Sequence, residues 1–128
     1  MSLFKTLQHQ PRIVSLFTHD VSSKPSVLIL QQLKGMQGDK FDIEVHNRFP
    51  TLHQLKYMND IDAQTLQRQI PKLSELLRKE TSDSVFGSDL ARCVQVGLWN
   101  PQSSLWVDWE KKHMGDNVES ITNLLKNN

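Results

Sequence analysis

The chain has 128 residues, room for one domain but not for two ordinary ones. Lys and Arg total 15 against 14 Asp and Glu, a net charge of +1, which excludes the basic excess of a dedicated nucleic-acid binder. Hydrophobic residues make up 38% with no apolar run near the roughly 18 residues of a membrane span, and one cysteine, Cys93, excludes an intrachain disulfide, a Cys-x-x-Cys pair and a multi-cysteine zinc site.

The first acidic residue is Asp20. Ahead of it stand Lys5, His9 and Arg12, with Leu3, Phe4 and Leu7 spaced to share one helical face. Residues 1–10 therefore have the acid-free, mildly basic composition of a mitochondrial targeting segment, and an ordinary N-terminal arm is the equal alternative. The folded domain is expected over 11–128.

Arg12 to Phe17 is a short apolar and β-branched run that predicts a buried strand. Ser22, Ser23 and Pro25 open a helix, which Val27, Leu28, Ile29, Leu30 and Leu33 make apolar almost all round, so deep burial is expected. Gly35 is its expected stop. Phe41, Ile43 and Val45 then alternate with Asp42 and Glu44, a period-two strand that completes a βαβ unit.

Pro50-Thr51 opens a second helix with Leu52, Leu55 and Met58 on one side. The polar stretch 59–69 reads as a loop that could hold a short helix. A helix is predicted over 71–80 on Leu73, Leu76 and Leu77, and another carries Phe86, Leu90, Cys93 and Val94 before Gly97. Leu105 to Trp109 predicts a strand, 110–112 a turn, and His113-Met114 a short partner strand. Asp116 followed by Glu119 has the spacing of a capping box for a last helix on Val118, Ile121, Leu124 and Leu125.

These elements make an α/β fold with an N-terminal βαβ unit, a helical middle insertion, and a C-terminal β-hairpin and helix. That order is thioredoxin-like. Pro101 precedes the penultimate strand, where such folds often carry a cis proline, although base rates favour trans.

Five blocks carry a family likeness: 4–8 (FKTLQ), 47–51 (NRFPT), 66–73 (LQRQIPKL), 93–101 (CVQVGLWNP) and 105–110 (LWVDWE). Through them the chain resembles a small fungal family of mitochondrial redox proteins with a thioredoxin-like fold and one proposed active-site cysteine. The resemblance implies reduction of small toxic or electrophilic molecules, a mitochondrial location and a role for the matching residue, Cys93. The layout is more distantly similar to the arsenate-reductase branch, whose nucleophile follows the first strand. Here that segment is 18–23 (THDVSS), which holds no cysteine, so arsenate chemistry does not carry over.

The residues around Cys93 point the other way. A nucleophilic thiolate wants a neighbouring cation or a helix N-terminus. Cys93 is expected late in its helix, where the dipole opposes negative charge, with Asp89 four residues earlier on the same face. Arg92 is turned about 100° away. A cysteine on an apolar stripe usually packs as a small hydrophobe. A tertiary neighbour such as Arg68, Lys72 or His113 would change that balance.

Two functions therefore stand side by side. One is a monothiol oxidoreductase using Cys93, with glutathione or another external thiol closing the cycle because no resolving cysteine exists. Trp99, Trp106 and Trp109 could line the cavity that admits it. The other is a non-catalytic thioredoxin-like module that binds a protein or small ligand, with Cys93 in the core. The five histidines lack H-x-x-x-H or H-E-x-x-H spacing, so no metal site is expected and no cofactor is called for.

Overall fold

The computed structural model describes residues 12–125, so the targeting-segment expectation for 1–10 lies outside the described residues. Strand β1 (Ile13–Phe17) pairs parallel with β2 (Asp42–His46), from Ile13 opposite Asp42 to Phe17 opposite His46. On its other side β1 pairs antiparallel with β3 (Leu105–Asp108), and β4 (His113–Gly115) closes the sheet in the order β2-β1-β3-β4. Among the described residues five helices accompany it: α1 (Lys24–Gln37), α2 (Leu52–Gln69), α3 (Leu73–Leu76), α4 (Leu90–Gln95) and α5 (Val118–Leu125). The βαβ unit, the helical middle, the hairpin and the last helix all appear in the expected order.

The sheet separates two apolar layers because side chains alternate across a strand. Val14 and Leu16 of β1 point one way, with Trp106, toward Ile29 and Leu33 of α1 and Ile121 of α5. Phe17, Leu105 and Val107 point the other way, into a larger core built by α2, α3, α4 and Trp99. Cys93 belongs to that larger core.

Several element boundaries differ from expectation, each for a local reason. Helix α1 runs past Gly35 and closes at Gly38, whose φ of +50° suits glycine. It is also buried on one face only: Ser26, Ile29 and Leu33 are inside, while Val27 and Leu28 remain substantially exposed. The polar stretch 59–69 is helical rather than a loop. The helix breaks at Asp62 and restarts, with the Asp62 carboxylate accepting from the Thr65 amide at 3.1 Å and the Thr65 hydroxyl at 2.6 Å. Asp62 is thus an internal N-cap, a role that hydropathy does not reveal.

The helix expected over 71–80 contracts to the four residues of α3. Phe86 lies in a turn ahead of α4, which starts only at Leu90, with the Asp89 side chain accepting from the Ala91 amide at 3.1 Å. Trp109 falls in the hairpin turn rather than in β3. Asp116 does not cap α5. Asn117 accepts the Ser120 amide at 2.8 Å, and Asp116 pairs with Arg68 at 3.2 Å instead. No peptide bond of the described residues is cis, so Pro101 is trans.

Candidate functional site around Cys93

Helix α4 is short because turns close in on both ends. The Asp89 carboxylate caps its start, and Gly97, at φ +81°, ends it while the Leu98 amide donates back to the Cys93 carbonyl at 2.8 Å. Cys93 is the fourth of six residues, its amide bonded to the Asp89 carbonyl at 3.1 Å. It therefore falls in the last turn of a short helix, late in its helix as expected.

The thiol is buried, 2% exposed, in the core shared by Phe49, Leu90 and Trp99. Its polar contact is the Ser88 hydroxyl, 3.4 Å from the sulphur. Ser88 already donates its proton to the Val85 carbonyl at 2.6 Å. A hydroxyl has one proton, so the thiol is the donor to Ser88 and the bond is made by the S–H form. The Asp89 carboxylate, expected to oppose a thiolate, is turned to the helix cap.

Of the cations considered from sequence, Arg68 is committed elsewhere. Arg68 is engaged with Asp116 at 3.2 Å and with the Thr65 hydroxyl at 3.1 Å. Lys72 and Arg92 are exposed, and His113 is half-buried in β4. The tryptophans do not share one cavity either. Trp99 packs edge-on to Phe49 beside Cys93, and Trp106 lies on the opposite face of the sheet, donating to Ser120 at 2.8 Å. Trp109 donates to Ser15 at 2.8 Å and, with Tyr57, His53 and Gln54, lines a hollow of about 370 Å³.

A second polar locus forms at the start of α1. Ser26 meets Thr18 at 2.5 Å, Ser104 at 2.7 Å and Ser23 at 2.9 Å through its hydroxyl, and Thr18 donates to the Asp20 carbonyl at 3.0 Å. Thr18, Ser26 and Ser104 are buried, so this chain of hydroxyls ties the end of β1, the start of α1 and the approach to β3 together. Above it, Thr18, His19, Asp20, Val21, Val45 and Asn47 line a shallow hollow of about 430 Å³ at the carboxyl ends of the parallel strands. The Ser22 hydroxyl and amide hold the Asp20 carboxyl below its ordinary value, with slight burial opposing and His19 adding a small pull. The serine-rich start of α1 was the available signal, but only the tertiary structure brings Ser104 to it.

The chain belongs to the family described as "Protein of unknown function (DUF1687)", whose model matches residues 4–117. A Candida glabrata protein named "Putative redox protein FMP46, mitochondrial" is 48% identical over 127 residues, covering 98% of each chain. The Saccharomyces cerevisiae protein of the same name is 52% identical over 125 residues, covering 94% of each. A solution NMR structure of protein YKR049C from Saccharomyces cerevisiae is 50% identical, with a TM-score of 0.58 over 98% of this chain and 97% of that one. The redox and mitochondrial expectations agree with these names. No helix of the described residues is long and apolar enough to cross a membrane.

Proposed function

We propose that this chain is a thioredoxin-like, monothiol redox protein of the mitochondrion in which Cys93 is the reacting group. The strand order β2-β1-β3-β4, with a parallel first pair, supports the thioredoxin-like reading. The redox names of relatives at about half identity over nearly the full chain support the chemistry. The observation that carries the assignment to a residue is that the one thiol of the chain is borne by a helix of only six residues between Gly87 and Gly97, both at positive φ. The Leu90 amide of that helix is bonded to the Asn47 carbonyl at 2.9 Å and the Ser88 carbonyl before it to the Phe49 amide at 2.7 Å, so exposing the thiol means releasing these bonds in a local opening.

In the open state the thiol gives up its proton and the sulphur attacks one sulphur of a substrate disulfide. The substrate S–S bond breaks, a mixed disulfide with Cys93 forms, and the other substrate sulphur leaves as thiolate and takes a proton. A glutathione thiolate then attacks the substrate sulphur of that mixed disulfide, joining it and returning Cys93 as thiolate. The substrate half leaves oxidised onto glutathione, which is the net two-electron exchange.

A second reading, a non-catalytic binding module, is favoured by the 2% exposure of Cys93 and by its hydrogen bond to Ser88. One experiment separates the two: alkylation of Cys93 in the folded protein, and its glutathionylation by oxidised glutathione, against the rate of global unfolding. Reaction faster than global unfolding, lost in Cys93→Ser, supports the redox reading. Labelling that proceeds only at the global unfolding rate overturns it and leaves the binding module.

A further inference from the structure

We propose that β2 pairs with β2 of a second copy of this chain, antiparallel about Glu44, so that the two sheets run on as one. Strand β2 lies at the edge of the sheet, and no strand of the described residues pairs with its outer side. Its inner side is committed: the Asp42 amide donates to the Arg12 carbonyl at 2.8 Å and the His46 carbonyl accepts from Thr18 at 3.0 Å. Residues 42, 44 and 46 thus bond to β1, and the alternation of a parallel ladder turns the N–H and C=O of Ile43 and Val45 outward. Just past His46 the edge is occupied, because the Asn47 carbonyl accepts from Leu90 at 2.9 Å and the Phe49 amide donates to Ser88 at 2.7 Å.

These limits select one register. Centring on Glu44 sets Ile43 opposite the partner's Val45 and Val45 opposite the partner's Ile43, so the outward groups of both strands are satisfied together. On one face this joins two β-branched side chains, and Val45 is 44% exposed in the single chain. On the other face Asp42 meets the partner's His46, acid against base. Sliding the pairing toward Phe41 would set Asp42 against the partner's Glu44, a like-charge pair. Sliding it the other way would require the Asn47 carbonyl that Leu90 holds.

Acidic side chains on an open edge usually discourage pairing. Here the unfavourable contact is confined to the axis, where Glu44 faces the partner's Glu44, and each Glu44 lies 3.3 Å from His46 of its own chain. Val21, 52% exposed, and Val45 border the same hollow, so an apolar patch adjoins the strand.

The test is sedimentation equilibrium of the full chain together with concentration-dependent amide exchange. The expected result is a monomer–dimer equilibrium with a dissociation constant on the order of 100 μM, the weak class formed by small interfaces. The Ile43 and Val45 amides should slow as concentration rises. Val45→Lys should weaken association by at least about tenfold and Glu44→Gln should strengthen it severalfold, each with an unchanged thermal midpoint for the monomer. A single monomeric mass up to about 1 mM, or a dimer indifferent to both substitutions, overturns the proposal.

Discussion

The Cys93 sulphur lies 3.4 Å from the Ser88 hydroxyl oxygen, and that hydroxyl proton is already given to the Val85 carbonyl at 2.6 Å. The serine therefore joins the turn before α4 to the thiol within it. Loss of the serine should loosen both.

For Ser88→Ala we expect a stability loss of about 1–3 kcal/mol, since a buried thiol and a carbonyl lose a shared partner. Urea unfolding measures it. If α4 opens locally, alkylation of Cys93 in the folded protein should also accelerate. An unchanged midpoint and an unchanged alkylation rate would show that the Ser88 bond holds nothing in place.

Arg12 donates through Nε to Asp108 Oδ2 at 3.0 Å and its second nitrogen also reaches that oxygen, while its guanidinium lies over the Phe41 ring. Asp108 is fully buried, and its other oxygen accepts the Lys111 amide at 3.1 Å. Arg12→Ala leaves that carboxylate without its cation and should cost about 3–5 kcal/mol, whereas the double change with Asp108→Asn should recover part of it. Denaturant titration of the four-member cycle reads the coupling. Additive losses would deny it.

Burial pushes the Asp62 carboxyl up, but hydrogen bonds from the Thr65 hydroxyl and amide, with Arg68 nearby, outweigh it and leave the group below its ordinary value of 3.8. A carboxyl lowered on folding stabilises the fold fully above its unfolded value and loses that contribution as pH falls through the folded one. Stability should therefore fall below about pH 4, and Asp62→Ala should flatten the fall while lowering stability at pH 7. Urea midpoints from about pH 2 to 7 for both proteins decide this, and equal acid slopes would speak against it.

The two candidate caps of α5 make different predictions. Asn117→Ala removes the acceptor of the Ser120 amide and should cost about 1 kcal/mol. Asp116→Ala breaks a pair whose Arg68 side chain is 58% exposed and should cost about 0.5 kcal/mol or less. Thermal midpoints of the two variants should rank in that order. The reverse ranking would restore Asp116 as the cap.

Elements with a plain period were legible from sequence. The alternation of Phe41, Ile43 and Val45 marked β2, the run from Arg12 to Phe17 marked β1, and Leu105 to Met114 marked the hairpin. Signals that depend on a partner were not legible. Asp62 caps a helix inside a polar stretch only because Thr65 turns back to it, and Asn117 rather than Asp116 caps α5 because Arg68 of α2 draws the aspartate away.

By itself the sequence determined the class of fold, the order of its elements and the one thiol on which any redox chemistry must turn. Periodicity and composition are local quantities, and they suffice for that. The tertiary structure decided what surrounds the thiol: a serine oxygen and a core of Phe49, Leu90 and Trp99, with Arg68 spent elsewhere and the tryptophans on different faces of the sheet. The reactivity of a cysteine depends on charges and water within a few ångströms, and those come from residues distant in the chain. The lone cysteine is thus a fact of the sequence, while its burial and its bond to Ser88 are facts of the fold.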